Sequence, residues 1–387
     1  MFDLDQDYPR DMVGYGRTRP DPRWPGGKRV AVQFVVNYEE GAENCTLHGD
    51  AASEAFLSEI VGALPWLGKR HANMESIYEY GARTGFWRLW RAFTRRGMPV
   101  TVFGVANAMR RNPEAVAAMV EADWEIASHG LRWIDYRDHS LEDERADIDA
   151  AIALQTELTG SRPLGLYQGR TSTNTLAIGA AEGGFLYLAD SYADELPYWV
   201  GLGGRQQLVV PYTLDANDMR FATAQGFNSG DQFFAYLKDS FDVLYREGGE
   251  GQAGMMSVGL HCRLVGRPGR MAALERFLDY VGAHPDAWVA TRLDIARHWV
   301  STHPPRGGYR PSRMGRALFA EVFGRVCAEA AGGSGEAGRS LAERVHGAGL
   351  GPEADSAADL ARRFAQAGLA AAGERAFEDR LSALIGR

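Results

Sequence analysis

Cysteines, long apolar runs and signal-peptide features are all scarce or missing in this sequence. Its 387 residues include three cysteines, which lie far apart and form no CxxC pair. That pattern argues against a disulfide framework and favours free thiols in a reducing compartment. The N-terminus is acidic and lacks an apolar core, and no run reaches the roughly 18 apolar residues of a membrane helix. We therefore expect a cytoplasmic protein without a membrane segment.

Clustered positive charge is missing as well. The formal net charge is −8, and no basic stripe stands out, so a nucleic-acid partner is not expected. No glycine-rich dinucleotide fingerprint follows the first predicted strand. Hydrophobic residues make up 45% of the chain and charged residues 24%, which is ordinary for a globular protein. The length allows one large domain with a smaller appendage.

Apolar runs alternate with amphipathic stretches, and this alternation predicts an α/β fold. Strands are predicted at 29–36, 99–105, 124–128, 164–168, 185–190, 207–213, 254–260 and 287–290, and helices at 83–97, 112–123, 141–159, 174–182, 231–246, 269–283 and 293–302. Such alternation is typical of a parallel (β/α) barrel of seven or eight units. A doubly wound open sheet is the alternative. Residues 42–82 lack clear periodicity and are predicted to form a long polar loop.

The composition changes after residue 303. The stretch 304–308 has the proline and glycine content of a linker, and apolar residues at helical spacing follow it. We expect a barrel domain over 1–303, including an N-terminal arm, and a helical C-terminal appendage over 304–387. The sequence of the appendage indicates no function.

Polar residues follow most of the predicted strands. The carboxyl ends of parallel strands meet at one edge of a barrel, so these side chains are expected to converge there. They are Glu39, Glu40, His129, Arg170, Asp190, Asn217, Asp218 and His261. Each alone is weak evidence, because a lone histidine is more often structural and charged residues are mostly solvated. Their joint placement predicts a functional site.

Glu39 and Glu40 are adjacent on what is expected to be extended backbone. Consecutive side chains of a strand point to opposite faces, so the two carboxylates cannot both face the core. We expect one to be directed into the site and the other towards a supporting partner.

These stretches resemble the polysaccharide deacetylase (carbohydrate esterase) family. The first motif of that family, Thr-Phe-Asp-Asp-Gly, has its counterpart in residues 37–41, NYEEG. The second motif carries two metal-binding histidines, at positions that hold His129 and Trp133 in this sequence. The arginine of the third motif corresponds to Arg170, and the histidine of the last motif corresponds to His261. The resemblance implies a distorted (β/α) barrel.

The departures from these motifs resemble one branch of the family, the cofactor-independent allantoinases of purine catabolism. The likeness rests on stretches within residues 8–303 such as YPRDMVGYGR, NMESIYEYG, SHGLRWIDY, DSYADELPYW and GLHCRLVGRPGRMAALERF. It implies hydrolysis of the hydantoin-ring amide of allantoin to allantoate, with neither a metal nor another cofactor. It also implies that the protein binds this small molecule as its substrate. The chain is further expected to form a homo-oligomer, such as a tetramer.

The roles implied for the motif residues follow from the chemistry of ring opening. Hydrolysing a cyclic amide needs an activated water, a stabilised oxyanion and a proton for the leaving nitrogen. The expected base is Glu39, Glu40 or His129. His261 is the expected acid, and Arg170 is expected at the developing charge. The other expected substrate-binding residues are Tyr38, Trp133, Asp190 and Asn217.

The residue at position 133 bears directly on the use of metal. A catalytic zinc usually has three protein ligands, and an indole N–H donates but cannot ligate. Trp133 therefore leaves only Glu40 and His129 from the usual set of the family. Two other interpretations stay open. One is a catalytically inactive binding module, and the other is a metal-dependent deacetylase or cyclic imidase whose missing ligand comes from His48, Asp135 or His139.

Overall fold

A run of β-branched and aromatic residues forms the central strand of the sheet. In this computed structural model, which describes residues 2–4, 8–203 and 205–305, Val30–Tyr38 is a strand of nine residues, all of them buried. Complete burial is typical of a parallel strand that is covered on both faces. The predicted strand, 29–36, stopped short of Asn37 and Tyr38, which continue the ladder to the next strand.

The strands and helices follow one another in an alternating order. The strands are β1 Phe2–Asp3, β2 Val30–Tyr38, β3 Thr101–Gly104, β4 Glu125–Ser128, β5 Gly165–Leu166, β6 Tyr187–Leu188, β7 Tyr198–Leu202, β8 Arg205–Val209, β9 Gly254–His261 and β10 Ala287–Val289. The α-helices are α1 Ala72–Tyr80, α2 Phe86–Thr94, α3 Ala106–Arg111, α4 Pro113–Glu121, α5 Leu141–Thr159, α6 Thr175–Glu182, α7 Gly230–Gly249, α8 Pro268–Gly282 and α9 Arg292–Thr302. A π-helical segment, Gly81–Gly85, joins α1 to α2.

The strands form a mixed sheet that curves into a half-barrel. Hydrogen bonds order them as β1-β7-β8-β6-β5-β4-β3-β2-β10, and β9 also pairs with β2. The ladder between β7 and β8 is antiparallel, whereas β2 pairs in parallel with β3, β9 and β10. An isolated parallel bridge between Asn217 and Gly259 links the segment after β8 to β9. The predicted distorted (β/α) barrel is confirmed.

Alternate residues of β2 face different surroundings. Phe34 packs in the apolar core, with its ring centroid 5.3 Å from that of Phe93 in α2 and 6.2 Å from that of Phe277 in α8. Asn37 has the opposite parity, and its amide donates to the hydroxyl of Tyr212 over 2.9 Å. Because the side-chain period of a strand is two, residue 39 continues the polar face of Asn37.

The predicted long loop at 42–82 was wrong in its last third. Ala72–Tyr80 is a helix whose buried residues, Met74, Ile77 and Tyr78, have helical spacing. Its start is hard to recognise because His71, rather than a serine, threonine, aspartate or asparagine, accepts from the backbone N–H of Met74 over 3.3 Å. The prediction also missed β7, which pairs with β8 at the far side of the sheet.

Residues 2–296 form one compact unit, which contains the site described below. Residues 306–387 lie outside the described residues, so the predicted helical appendage over 304–387 stays a prediction. In the part of the chain that the structure describes, no helix combines the length and the apolar character needed to cross a bilayer.

Candidate active site

The register between β2 and β9 brings the first two site residues together. Asn37 pairs with His261 in this parallel ladder, so the residues that follow the two strands also run side by side. Arg263 accordingly lies against Glu39, with Nη1 of the guanidinium 2.7 Å from Oε2 of the carboxylate. Both side chains are buried, at 0% and 1% exposure. The pair is a desolvated ion pair at the carboxyl edge of the sheet.

The other oxygen of Glu39 faces two imidazole rings. Oε1 lies 3.3 Å from Nε2 of His129 and 3.4 Å from Nε2 of His261. His129 comes from the end of β4 and His261 from the end of β9. The structure therefore brings three of the predicted catalytic residues together around one oxygen atom.

Glu40 makes a different set of contacts. Its Oε2 accepts from the backbone N–H of Glu39 over 3.1 Å, and its Oε1 accepts from the backbone N–H of Arg263 over 3.2 Å. Gly81, in the π-helical segment, packs so closely that a methyl group there would collide with the Glu40 carboxylate. Glu40 is thus enclosed by backbone, whereas Glu39 contacts the side chains of the site.

The two neighbouring carboxyl groups have opposite acidities. Burial alone would raise the pKa of Glu39, but Arg263 and then His261 overcome it and hold that pKa well below its ordinary value. Burial raises the pKa of Glu40, and the negative charge of Glu39 adds to the effect, against the opposing influence of Arg263. Glu39 is therefore the firmly ionised member of the pair.

His261 is held as a cation. Burial would lower its pKa, but Glu39 and Asp218 outweigh burial and raise the pKa to about 9. Asp218 Oδ1 lies 2.6 Å from Nδ1 of the ring, and Oδ2 accepts from the backbone N–H of His261 over 2.7 Å. Asn217 begins the turn that carries Asp218, since its Oδ1 accepts from the N–H of Met219 over 2.9 Å. Asn217 thus acts on His261 indirectly, by holding the turn that positions Asp218.

The two ring nitrogens of His129 have different surroundings. Its Nδ1 is buried and has no hydrogen-bond partner within the described ranges. Gly169 packs beside the ring, and the backbone N–H groups of Gln168 and Gly169 both donate to Asp190 over 2.7 Å. Burial raises the pKa of Asp190 to about 6, against the effect of these two donors. Asp190 therefore holds the turn that abuts His129.

Trp133 is the centre of an aromatic and cationic cluster. Its ring stacks on Phe56 with centroids 5.9 Å apart and planes 18° from parallel. The guanidinium of Arg170 lies 5.1 Å from the centroid of Trp133, and that of Arg263 lies 5.0 Å from it. Arg170 also lies 3.3 Å from Oε2 of Glu54. Cation–π contacts thus join Trp133 to both arginines.

Tyr38 is the predicted site residue that the structure places apart from this cluster. Its ring packs edge-on against Phe86 in the apolar core, with centroids 5.5 Å apart. The alternation of side chains along β2 places Tyr38 on the face opposite to Glu39.

The three residues proposed as replacement metal ligands have their contacts elsewhere. His48 Nδ1 contacts the carbonyl of Glu43 over 2.9 Å, Asp135 pairs with Arg137, and the ring of His139 lies against Tyr136. Within the ranges that the structure describes, no group of three His, Cys, Asp or Glu side chains could hold a metal ion.

The side chains around Glu39 do not fit a divalent metal ion. Arg263 already supplies a positive charge 2.7 Å from Glu39 and 3.6 Å from Glu40. Asp218 occupies Nδ1 of His261 over 2.6 Å, and the indole of Trp133 has no lone pair to coordinate a metal ion.

Arg263 is a site residue that the sequence patterns did not predict. The signal that could have found it is its spacing: it follows His261 by the same number of positions as Glu39 follows Asn37, and Asn37 pairs with His261. That pairing is not visible in the sequence. Glu54, the partner of Arg170, was also missed, because the two residues meet from segments 116 positions apart.

Comparisons with known proteins agree with this geometry. A sequence model of the polysaccharide deacetylase family matches residues 73–182. A Schizosaccharomyces pombe protein named "Putative polysaccharide deacetylase" is 40% identical over 314 residues, which cover 76% of this chain and 98% of that protein.

Two solved structures are similar over most of the chain. One, a "probable Polysaccharide deacetylase" of Pseudomonas aeruginosa PAO1, is 57% identical with a TM-score of 0.76, and the match covers 77% of this chain and 100% of that one. The other, PuuE allantoinase, is 56% identical with a TM-score of 0.76, and the match covers 78% of this chain and 100% of that one. The chain belongs to the polysaccharide deacetylase family, a family of hydrolases.

Proposed function

We propose that this protein hydrolyses the hydantoin-ring amide of allantoin to give allantoate, without a metal. The observation that carries the proposal is the position of Glu39 Oε1 between two imidazole nitrogens, 3.3 and 3.4 Å away, in a buried site. Among the residues that the structure describes, no three side chains there could hold a metal ion. The similarity to PuuE allantoinase, 56% identical over 78% of the chain, supports the choice of substrate.

His129 is the group best suited to act as the base. The pKa of Glu39 lies well below its ordinary value, against the effect of burial, because Arg263 and His261 stabilise the charge, so Glu39 is a weak proton acceptor. Both oxygens of Glu40 already accept from backbone N–H groups. When Nε2 of His129 donates to Glu39, Nδ1 is left as the acceptor, and it has no other partner in the described part of the chain. We assign the abstraction of the water proton to that atom.

His261 is the proton donor in this scheme. Asp218 holds Nδ1, so Nε2–H is directed at Glu39 across 3.4 Å, a contact long enough to be given up to a substrate atom. As the oxygen of water bonds to the ring carbonyl carbon, His129 takes the water proton. As the carbon–nitrogen bond breaks, His261 gives a proton to the leaving nitrogen.

Glu39 returns a proton from His129 to His261 after each turnover. The reaction leaves His129 with an additional proton and His261 with one fewer. Oε1 of Glu39 contacts Nε2 of both rings, so a proton passed from Nε2 of His129 through Glu39 returns to His261. The proton taken from water then remains on Nδ1 of His129, and this ring must return to its Nε2–H tautomer before the next turnover. Glu39 is thus a proton bridge and an orienting group, and its low pKa keeps it from retaining the proton.

The site is suited to a small, flat substrate. Glu39, His129 and His261 are 1%, 1% and 3% exposed, which leaves little room for a polymer chain at the reacting groups. The flat ring of Trp133 and the guanidinium of Arg170 match an apolar ring face and a polar carbonyl edge. The burial of the reacting groups and the flat ring of Trp133 favour allantoin over a polysaccharide, the other substrate class of the family.

The cellular setting is also a proposal. Cys45 and Cys262 are both free and buried, which favours a reducing compartment such as the cytoplasm. We propose that the protein acts there in purine catabolism as a homo-oligomer, such as a tetramer. Light scattering coupled to size-exclusion chromatography measures the number of chains.

An allantoin hydrolysis assay, run with and without prolonged EDTA treatment, tests the proposed function. We expect turnover that EDTA does not change, and no turnover of N-acetylated chito-oligosaccharides. The variant Glu39→Gln, which keeps the shape of the side chain, is expected to lose activity while remaining folded by circular dichroism. Activity that disappears on chelation and returns with zinc would overturn the metal-free mechanism, and deacetylation without allantoin turnover would overturn the substrate.

A further inference from the structure

We propose that Arg263 is a positioning residue that takes the place of a metal ion. Its guanidinium balances the charge of the paired carboxylates Glu39 and Glu40, fixes their orientation and keeps divalent cations out of the site. The inference rests on the proposed function for its activity measurements, whereas its metal-binding measurements need no substrate.

The position of Arg263 is the first support. Nη1 lies 2.7 Å from Oε2 of Glu39 and 3.6 Å from Oε1 of Glu40, so one cationic group contacts both carboxylates. The backbone N–H of the same residue donates to Oε1 of Glu40 over 3.2 Å. Two adjacent buried carboxylates repel each other, and a cation at this position is what allows them to share a site.

The way in which the guanidinium is held is the second support. Its Nε donates to the carbonyl of Leu57 over 2.9 Å, and its carbon lies 4.4 Å from the ring centroid of Tyr78 and 5.0 Å from that of Trp133. A planar guanidinium can donate along its edge and stack on its face at the same time, which an ammonium cannot do. The cation is therefore fixed by protein groups alone, before any substrate arrives.

The identity of residue 133 follows from the same arrangement. An imidazole in place of Trp133 would provide a metal ligand but a smaller aromatic face for Arg263. A tryptophan provides the best aromatic face for a cation and no ligand. Trp133 and Arg263 thus act as a unit, in which the guanidinium and the indole ring that it packs on exclude a metal cation.

The variants Arg263→Leu and Arg263→Lys separate charge from shape. Arg263→Leu keeps apolar bulk and removes the charge, whereas Arg263→Lys keeps the charge and removes the planar fork. Arg292→Leu is the matched control, because Arg292 is also 0% exposed but its N–H groups donate to neutral oxygens. All three proteins are compared with the wild type by circular dichroism and thermal melting before use.

The first measurement is a zinc titration by calorimetry on the EDTA-treated, dialysed proteins. We expect Arg263→Leu to bind one zinc ion at least about a hundredfold more tightly than the wild type, because a like charge no longer repels the ion. Wild type, Arg263→Lys and Arg292→Leu are expected to remain alike. Equal zinc affinity in Arg263→Leu and the wild type would overturn the proposal, whatever the substrate of the enzyme.

The second measurement is allantoin turnover as a function of pH. Losing Arg263 removes the main group that lowers the pKa of Glu39 against the effect of burial. We expect kcat for Arg263→Leu to fall by about 10²–10³-fold, the range for removing one preorganised charge-stabilising group. The acidic limb of kcat/KM should also move to higher pH. Arg263→Lys should keep the wild-type limb, and Arg292→Leu should not move it.

The third measurement is chemical rescue. Free guanidinium at a non-denaturing concentration is expected to restore part of the turnover of Arg263→Leu, whereas urea at the same concentration is not. If the acidic limb of kcat/KM is unshifted in Arg263→Leu and guanidinium restores no turnover, Arg263 is only a packing residue. If the wild type does not turn over allantoin at all, the proposed function fails, and the zinc titration alone then decides the role of Arg263.

Discussion

Among the described residues, two arginines are completely buried in this barrel, one towards each end of the same pair of strands. Arg263 follows β9 and lies against the carboxylates of Glu39 and Glu40. Arg292 lies among the first halves of β2 and β9, where its N–H groups donate to neutral oxygens. These oxygens belong to the side chains of Gln33 and Ser257 and to the carbonyl groups of Val210 and Pro211.

The acidities of the two groups reflect these partners. Burial lowers the pKa of Arg292, and Tyr187 and Glu125 only partly oppose the effect. Burial acts in the same direction on Arg263, but Tyr78, Glu39 and Glu40 reverse it and raise the pKa. A buried cation among neutral dipoles serves packing and hydrogen bonding. A buried cation against two carboxylates is the arrangement expected at a functional site, and it lies at the carboxyl end of the strands.

The largest effect is expected for a change at the carboxylate end. His261→Asn removes the group to which we assign proton donation, and kcat should fall by about 10²–10⁴-fold. The rate per folded subunit, with folding checked by circular dichroism, is the measurement. A loss below roughly tenfold, equivalent to about 1.4 kcal/mol of barrier, would mean that His261 only packs or positions the substrate.

A change at the neutral end should act on stability instead. Arg292→Leu leaves several buried oxygens without a donor, at about 1–3 kcal/mol for each unsatisfied group, so the free energy of unfolding should fall by roughly 3 kcal/mol or more. Urea denaturation measures this loss. The rate per folded subunit should stay unchanged. A hundredfold drop in kcat at unchanged stability would abolish the contrast between the two ends.

The pH dependence should follow His261. Its pKa rises from 6.5 to about 9 on folding, since Glu39 and Asp218 outweigh the effect of burial. A raised folded-state pKa gives a stabilisation that is fully present below pH 6.5 and is lost as the pH rises through about 9.

Both the melting temperature and kcat should therefore decline on the alkaline side. Asp218→Asn removes one of the two carboxylates that raise the pKa of His261, so the alkaline limb of kcat should move to lower pH. A pH–rate profile of the two proteins measures the shift. Identical alkaline limbs would show that another group sets them.

A smaller effect is expected at Trp133. Trp133→Phe keeps an aromatic face but weakens two cation–π contacts, each at about 0.5–1 kcal/mol, so turnover should fall severalfold and metal content should not change. Trp133→His is more informative in two backgrounds. It should gain zinc affinity when combined with Arg263→Leu, and much less when Arg263 is present. Equal zinc affinity in both backgrounds, measured by calorimetry, would separate the roles of the two residues.

The smallest effect is expected from removing the C-terminal part. All the site residues discussed above lie between Asn37 and Arg263, so truncation after Pro305 should leave turnover per folded subunit unchanged. The steady-state rate of the truncated protein, corrected for folded fraction, is the check. A large loss of kcat with the fold preserved would show that the removed residues complete the site, in the same subunit or across an interface.

The sequence predicts which residues form the site better than it predicts the contacts between them. Glu39, His129 and His261 are predictable because each follows an apolar run, and parallel strands end at a common edge. The bridge from Glu39 to both histidines depends on distances of 3.3 and 3.4 Å, which strand ends alone do not determine. Arg263 was missed because its two carboxylate partners come from the other end of the chain.

The same limit applies to the fold. The apolar strands and long helices are predictable from periodicity, and the barrel follows from their alternation. α1 was missed because it presents few apolar positions and is capped by His71, whose start signal is weak. β7 was missed because it is half-buried and pairs antiparallel at the far side of the sheet, so its sequence lacks the apolar run of a central strand.

The geometry of the site depends on the number of residues in the π-helical segment Gly81–Gly85. The helical stretch from Ala72 to Thr94 is continuous, and Tyr78, which packs on Arg263, lies before the wide turn, whereas Phe86 and the core residues of α2 lie after it. Removing one residue from the segment would let an ordinary α-helix run through and turn the first half by about 100° relative to the second. Tyr78 would then point away from the guanidinium while α2 kept its place in the core. A one-residue deletion here would therefore change the direction of the Tyr78 side chain. Arg263 would lose its contact with the Tyr78 ring although every residue of the site was still present.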